Sequence, residues 1–234
     1  MALAWLCSQD ALLRLEAGEL PGWAVALLVA LRTQLQTGLF IVSHDAMHGV
    51  LWPGRPRWNH RLGATCLWLY AALPYGACRQ NHRRHHRAPA SASDPDFAPE
   101  HRSSALSWYG TFMGGYLTGR QMTGLLSTWG VLLLLYGHGS RSAGLNVLLF
   151  CTLPLLLSSF QLFLFGTYLP HRVQRGRDRR PHPDSLDLPP WLSLLACFHF
   201  GYHREHHDEP QLSWWQLPRA RQRSRRLTLA EARR

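Results

Sequence analysis

The segment GLNVLLFCTLPLLLSSFQLFLFGTYL, residues 144–169, decides the fold. Its 26 residues carry no formal charge and are rich in Leu and Phe. A helical crossing of a bilayer needs about 20 such residues, and inside lipid only a helix or a closed barrel satisfies the backbone's own polar groups. Towards the N-terminus, a short loop around Arg141 separates this run from a second uncharged one, Gln121–Gly139. Two such runs in succession predict a transmembrane hairpin. Pro21–Ser43 is apolar apart from Arg32, Gln34 and Gln36. A mid-membrane arginine costs roughly 2.5–3.5 kcal/mol on insertion scales, so Arg32 should face protein or reach the interface. Two shorter stretches, Leu62–Cys78 and Leu188–Phe200, are broken by Pro74 or opened by Pro189 and Pro190, and read as helices lying in the interface. The expected fold class is all-α: one integral-membrane helical bundle over residues 1–234, with spans at 21–43, 121–139 and 144–169.

The averages of the chain hide this pattern. It has 234 residues, 25 basic and 14 acidic, for a formal charge of +11. Every basic residue is arginine, and 46% of the residues are hydrophobic. Such numbers alone suit a soluble protein that binds nucleic acid, but the arginines fall in blocks between long uncharged runs. Arg79, Arg83, Arg84, Arg87 and Arg102 form one block, Arg172–Arg180 another, and the tail 219–234 holds seven more. Arginine-rich loops stay in the cytoplasm, so these three segments should share that side and the Arg141 loop should face the other. The tail reads as a solvated, loosely ordered segment near acidic lipid headgroups, with no nucleic-acid role. The five cysteines show no CxxC spacing and read as small hydrophobes rather than ligands or disulfide partners.

The 14 histidines are not scattered. His44 and His48 are one helical turn apart; His82, His85 and His86 form HRRHH; His203, His206 and His207 form HREHH. On a helix, positions i, i+3 and i+4 share a face, so each HxxHH turns three imidazoles to one point. Neutral imidazole suits iron, zinc, copper and nickel. Eight such groups exceed what one ion takes, so two metals in one pocket are expected. HExxH, with its catalytic glutamate, is missing, which weakens a zinc protease reading.

Topology brings the clusters together. A helix over residues 21–48 is about 42 Å long against a core of about 30 Å, so His44 and His48 emerge on the cytoplasmic side. HRRHH lies in the arginine-rich loop on that side, and the hairpin returns the chain there at Pro170 and His171. HREHH follows on the same face, leaving His171 as a natural ninth ligand. His199, one turn before His203, is its rival. Asp45 and Asp208 flank ligands and are candidates for orienting imidazoles. Thr167, one turn before His171, is a further candidate. His60, His101, His138 and His182 read as surface or interfacial residues.

The three histidine boxes, their order and their placement around spanning pairs resemble the membrane fatty-acid desaturase and hydroxylase superfamily. More narrowly, HDAMHG at 44–49, PGRPR at 53–57, DPDF at 94–97, QLFLFGTYLPHR at 161–172, CFHFGYHREHH at 197–207 and WWQLP at 214–218 resemble the bacterial beta-carotene ketolases. The resemblance runs from about Thr37 to Arg219. It implies a desaturase-type bundle with a cytoplasmic di-metal cap in the bacterial cytoplasmic membrane. It also implies two non-haem iron ions, dioxygen and an external electron donor such as ferredoxin. The implied reaction oxidises C4 and C4′ of beta-ionone rings to ketones, towards echinenone, canthaxanthin or astaxanthin, by two hydroxylations and a dehydration. Family members carry a further span before HDAMHG, for which only Met1–Cys7 is a remnant, so the first span looks truncated.

A hydrocarbon substrate offers nothing to hydrogen-bond, so an apolar tunnel entered from the bilayer is expected, with Trp68, Phe160, Phe163, Phe165 and Tyr168 as candidate walls. The arginine-rich face would steer an acidic electron carrier. A carotenoid or fatty-acid hydroxylase or desaturase would share the boxes and differ in product. A metal transporter would need ligands at mid-membrane, and no histidine lies within 144–169.

Overall fold

The computed structural model describes residues 1–97, 104–139, 141–172 and 183–231. Among them every regular element is a helix and none is a strand. Two helices are long and apolar enough to cross a membrane: α2 (Gly22–His48), which follows α1 (Ala2–Leu13), and α7 (Ala143–His171). Between them lie α3 (Pro56–Ala71), α4 (Tyr75–Arg87), α5 (Ala105–Gly114) and α6 (Gly119–Gly137). Then follow α8 (Pro190–Cys197), α9 (His203–Asp208) and α10 (Leu217–Glu231). The central helix is α2, which packs on α3 along one side and α7 along another.

Local chemistry sets the ends that matter. Helix α2 stops at Gly49, whose φ of +81° is left-handed; its amide donates to the Ala46 carbonyl at 3.1 Å, and Val50 donates to Asp45 at 3.1 Å. Glycine adopts that conformation at no steric cost, and the pair of hydrogen bonds ends the helix cleanly. His44 and His48 are thereby held on its last turns. Gly63 lets α3 approach α2: a Cβ there would stand 2.4 Å from the Ala46 Cβ and 2.9 Å from the Tyr75 ring. Pro56 opens α3 at the position where its missing N–H costs nothing. Helix α4 begins directly after Pro74, so the Leu62–Cys78 stretch is two helices rather than one. In α7 the winding widens at Leu148–Thr152 and again at Phe163–Tyr168. Wide turns of this type gather at functional sites, and the second leads directly to His171.

The run expected at 121–139 coincides with α6. Arg120, Gln121, Thr123, Ser127 and Thr128 lie in its first half and it is not among the two helices apolar enough to span, yet Leu126, Val131, Leu134 and Leu135 stand exposed along it. Helix α1 has 12 residues, shorter than a span. Arg32 faces protein, as expected, and is only 1% exposed.

The tail departs from expectation. Instead of a loose segment, residues 217–231 form α10. Leu217 and Ala220 are buried, and acids from other segments pair with three of its arginines: Arg221 meets Glu205 at 3.1 Å, Arg223 meets Glu209 at 2.8 Å and Arg225 meets Asp187 at 2.9 Å. Residues 173–180 of the second arginine block, His101, His182 and the last three residues lie outside the described residues.

Candidate metal centre

Four elements each deliver histidines to one region: the end of α2, α4, the end of α7, and α9. In α4 the sequence NHRRHHR divides by helical spacing, with His82, His85 and His86 inward and Arg83, Arg84 and Arg87 exposed. Two groups result. His44, His48, His82, His86 and His206 form one, and His85, His171, His203 and His207 the other; within each group the donor nitrogens lie within 4.8 Å of one another. Nε2 atoms of His48 and His82 stand 2.7 Å apart, those of His86 and His206 2.9 Å. In the second group the His85–His207 separation is 3.0 Å and the His203–His207 separation 3.1 Å. Imidazole nitrogens bound at about 2.1 Å to a common ion are spaced in this way when their bonds are near right angles.

The rings are oriented from behind. His85 Nδ1 lies 2.9 Å from both Asp94 carboxylate oxygens, and Asp94 is itself fixed by the amides of Ala90 at 2.7 Å and Asp96 at 2.9 Å. His171 Nδ1 lies 2.6 Å from the Thr167 carbonyl. Each contact places the proton on Nδ1 and leaves Nε2 as the free lone pair, the outer arrangement typical of metal-bound histidine. Burial and neighbouring histidines push the pKa values of His82, His203 and His206 well below the ordinary range, and His86 to about 3. These rings are neutral and able to bind a cation. Burial also acts on His85, but the Asp94 hydrogen bond and the carboxylates of Asp96 and Asp94 outweigh it and raise its pKa.

A small chamber of about 60 Å³ lies against both groups, touching His44 and His82 of one and His85 and His203 of the other. Phe40, Phe112, Tyr116 and Leu162 line it and also line an apolar cavity of about 400 Å³. That larger cavity runs between α2, α3, α5, α6 and α7, past Tyr70, Leu73, Met113, Leu125, Trp129 and Leu155.

Comparison with known proteins decides the family. The fatty acid desaturase family model matches residues 19–133 and 114–233. The chain belongs to the fatty acid desaturase family. It is 41% identical over 214 residues to a beta-carotene ketolase of Paracoccus sp. (strain PC1), covering 88% of this chain and 83% of that one. Identity to a beta-carotene ketolase of Paracoccus sp. (strain N81106 / MBIC 01143) is 42% over 223 residues, covering 93% and 88%. A zeaxanthin 4-ketolase of Chlamydomonas reinhardtii is 36% identical over 230 residues, 92% of this chain and 49% of that protein.

In this desaturase-family chain all nine histidines expected to converge do so, and His199 does not. His199 stacks on Tyr202 at 5.7 Å and on Trp214 at 6.1 Å, in the left-handed conformation, apart from both groups. Asp208 is corrected: it is exposed and pairs with Arg204 at 3.7 Å, because it leaves the short α9 on the face away from the histidines. Asp45 is buried, but its nearest approach to His44 Nδ1 is 3.9 Å; its carboxylate instead accepts the Trp214 amide at 3.3 Å, tying the WWQLP segment to α2. Thr167 acts through its carbonyl rather than its hydroxyl.

The wall residues are corrected as well. Phe163 and Tyr168 pack with Trp108 of α5, with Phe160 beside them, because α5 covers that face of α7. Phe165 packs against the main core, and Trp68, 56% exposed, lines a smaller cavity of about 60 Å³ that shares Tyr70, Leu125, Trp129 and Leu155 with the larger one. None of the five lines the 400 Å³ cavity. Sequence reasoning missed Asp94, whose signal was DPDF beside HRRHH, and Glu205, which is buried between Ser185 and Arg221.

Proposed function

We propose that this chain is a beta-carotene ketolase, an oxidoreductase that converts the C4 methylene of beta-ionone rings into a ketone. The observation that carries the reading is an apolar cavity that shares Phe40, Phe112, Tyr116 and Leu162 as walls with a chamber bounded by both histidine groups. The donor set fits two iron ions. All nine donors are imidazole nitrogens, and the buried Nε2 atoms of His44 and His171 have no hydrogen-bond partner among the described residues. Unsatisfied buried nitrogens, His44 beside four close neighbours and His171 beside three, are what a bound cation would complete. His44, His48, His82, His86 and His206 would hold one iron, and His85, His171, His203 and His207 the other.

When bound, the two irons would supply reductive use of dioxygen to oxidise an allylic C–H bond that has no acidic proton for a side-chain base, chemistry that no side chain provides. The chain's residues do the rest. Asp94 and the Thr167 carbonyl hold His85 and His171 in the tautomer that offers Nε2. Phe40, Phe112 and Leu162, walls common to the chamber and the apolar cavity, would pack against the ring and keep water from it. Two rounds of hydroxylation at the same carbon give a geminal diol, and loss of water leaves the ketone.

Helices α2 and α7, with α6 between them, would place the chain in the bacterial cytoplasmic membrane as a multi-pass bundle, one domain over its whole length, with the histidines at the cytoplasmic surface. The exposed Arg83, Arg84 and Arg87 stand on the outer face of α4, directly behind three of the histidines. An acidic electron carrier such as ferredoxin would be steered to that face. The test is expression in a beta-carotene-accumulating bacterium, with pigments identified by chromatography and mass. Ketocarotenoids are the expected product. A product carrying only hydroxyl groups would point to a hydroxylase, and unchanged carotene would overturn the proposal.

A further inference from the structure

The chamber beside the histidines has two polar groups that make no hydrogen bond to any histidine among the described residues. Asp96 and Tyr116 both line it, and the Tyr116 hydroxyl donates to Asp96 Oδ1 at 3.0 Å. Asp96 is held from both sides of its backbone: its amide donates to Asp94 Oδ1 at 2.9 Å, and its carbonyl accepts the Trp108 indole N–H at 3.1 Å. Its second carboxylate oxygen takes no hydrogen bond among the described residues, and Asp96 makes no ion pair among them. Tyr116 also lines the 400 Å³ cavity, so its ring is a wall common to that cavity and the chamber. A carboxylate and a phenol are costly to keep in an apolar throat unless a polar partner arrives. A carotene ring has no such group. The alcohol left by its first oxidation has one.

We propose that Asp96 and Tyr116 bind the ring hydroxyl of the half-oxidised substrate and so commit it to a second oxidation at the same carbon; the inference rests on the ketolase reading. The alcohol donates its O–H to the Asp96 carboxylate, which keeps the oxidised carbon in the chamber instead of releasing it to the bilayer. The same pair then serves the dehydration. Asp96 takes the proton of one diol hydroxyl as the C=O bond forms. The C–O bond to the other hydroxyl breaks, and that group leaves as water with a proton from Tyr116. The proton on Asp96 returns to Tyr116 along their hydrogen bond. The balance is diol to ketone plus water, with no change of oxidation state.

The experiment compares the unsubstituted chain with Asp96→Asn and Tyr116→Phe in carotene-accumulating cells, measuring the ratio of ring alcohol to ring ketone. A hydrogen bond to a charged group makes a difference of about tenfold or more. The ratio should therefore rise at least about tenfold in both variants. Equilibrium binding to the purified, metal-loaded proteins without dioxygen gives a second readout. The unsubstituted chain should prefer a 4-hydroxylated carotenoid over the parent carotene about tenfold, and each variant should lose that preference. If Asp96→Asn fails to accumulate, Tyr116→Phe decides by the same two measurements. An unchanged ratio, or an unchanged binding preference, in a chain that makes ketone overturns this inference and leaves the ketolase reading intact. Absence of ketone from the unsubstituted chain overturns the ketolase reading itself.

Discussion

Helix α2 carries two buried polar regions, one around Arg32 and one at His44 and His48, and they are built on opposite rules. At Arg32 the guanidinium is closed off by neutral oxygens. Nε donates to the Phe150 carbonyl at 3.2 Å, Nη1 to the Trp5 carbonyl at 2.8 Å and the Ser8 hydroxyl at 2.7 Å, and Nη2 to Gln9. The Trp5 ring lies 4.8 Å from the guanidinium carbon. Phe150 belongs to the first wide turn of α7, where an altered ladder leaves a carbonyl to spare. At the histidines nothing is closed. Nitrogens face nitrogens, and both ring nitrogens of His44 are buried with no hydrogen-bond partner among the described residues. A buried polar network that is complete braces a fold, whereas one left open is a place for a ligand.

Substitutions can break that contrast. The largest effect belongs to the open cluster: His82→Ala and His206→Ala should each leave no detectable ketone in carotene-accumulating cells, while the folded protein still accumulates in the membrane. Undiminished ketone in both would show that the cluster is structural after all. Next is the closed network. Arg32→Leu strands the Gln9, Trp5 and Phe150 acceptors and should cost about 3 kcal/mol of stability, read as a lower melting temperature in detergent, with metal per folded chain unchanged. Loss of metal without loss of stability would reverse the roles of the two regions. The smallest effect is at the edge of the open cluster. Asp94→Asn keeps an acceptor for His85 but removes its charge, and metal affinity should fall about tenfold. Metal titration against a chelator measures it, and an affinity equal to that of the unsubstituted chain would detach Asp94 from the site.

What the sequence made legible were the local signals. The length of residues 144–169 and their lack of charge are properties of one segment, and so is the spacing of His82, His85 and His86. Both carried directly into α7 and α4. Burial of Arg32 followed from the cost of a charge in lipid, although its partners on α1 did not. What stayed hidden depends on which elements meet. Phe163 and Tyr168 look like cavity walls until α5 is laid over them with Trp108. The arginine tail looks loosely ordered until Asp187, Glu205 and Glu209 are brought alongside. His199 has the helical spacing of a ligand, but Phe198 and His199 adopt left-handed backbone, at φ +46° and +66°, and that turn takes the ring to Trp214. Spacing along a presumed helix fails where the helix is interrupted.

The central claim is that nine histidines form two metal sites, one of five and one of four, with His171 inside and His199 outside. Metal analysis of the purified chain tests it most directly. Two irons per chain are expected, falling to about one in His171→Ala, which strips a ligand from the group of four, and remaining at two in His199→Ala. Two irons retained in His171→Ala, with loss in His199→Ala, would contradict the account.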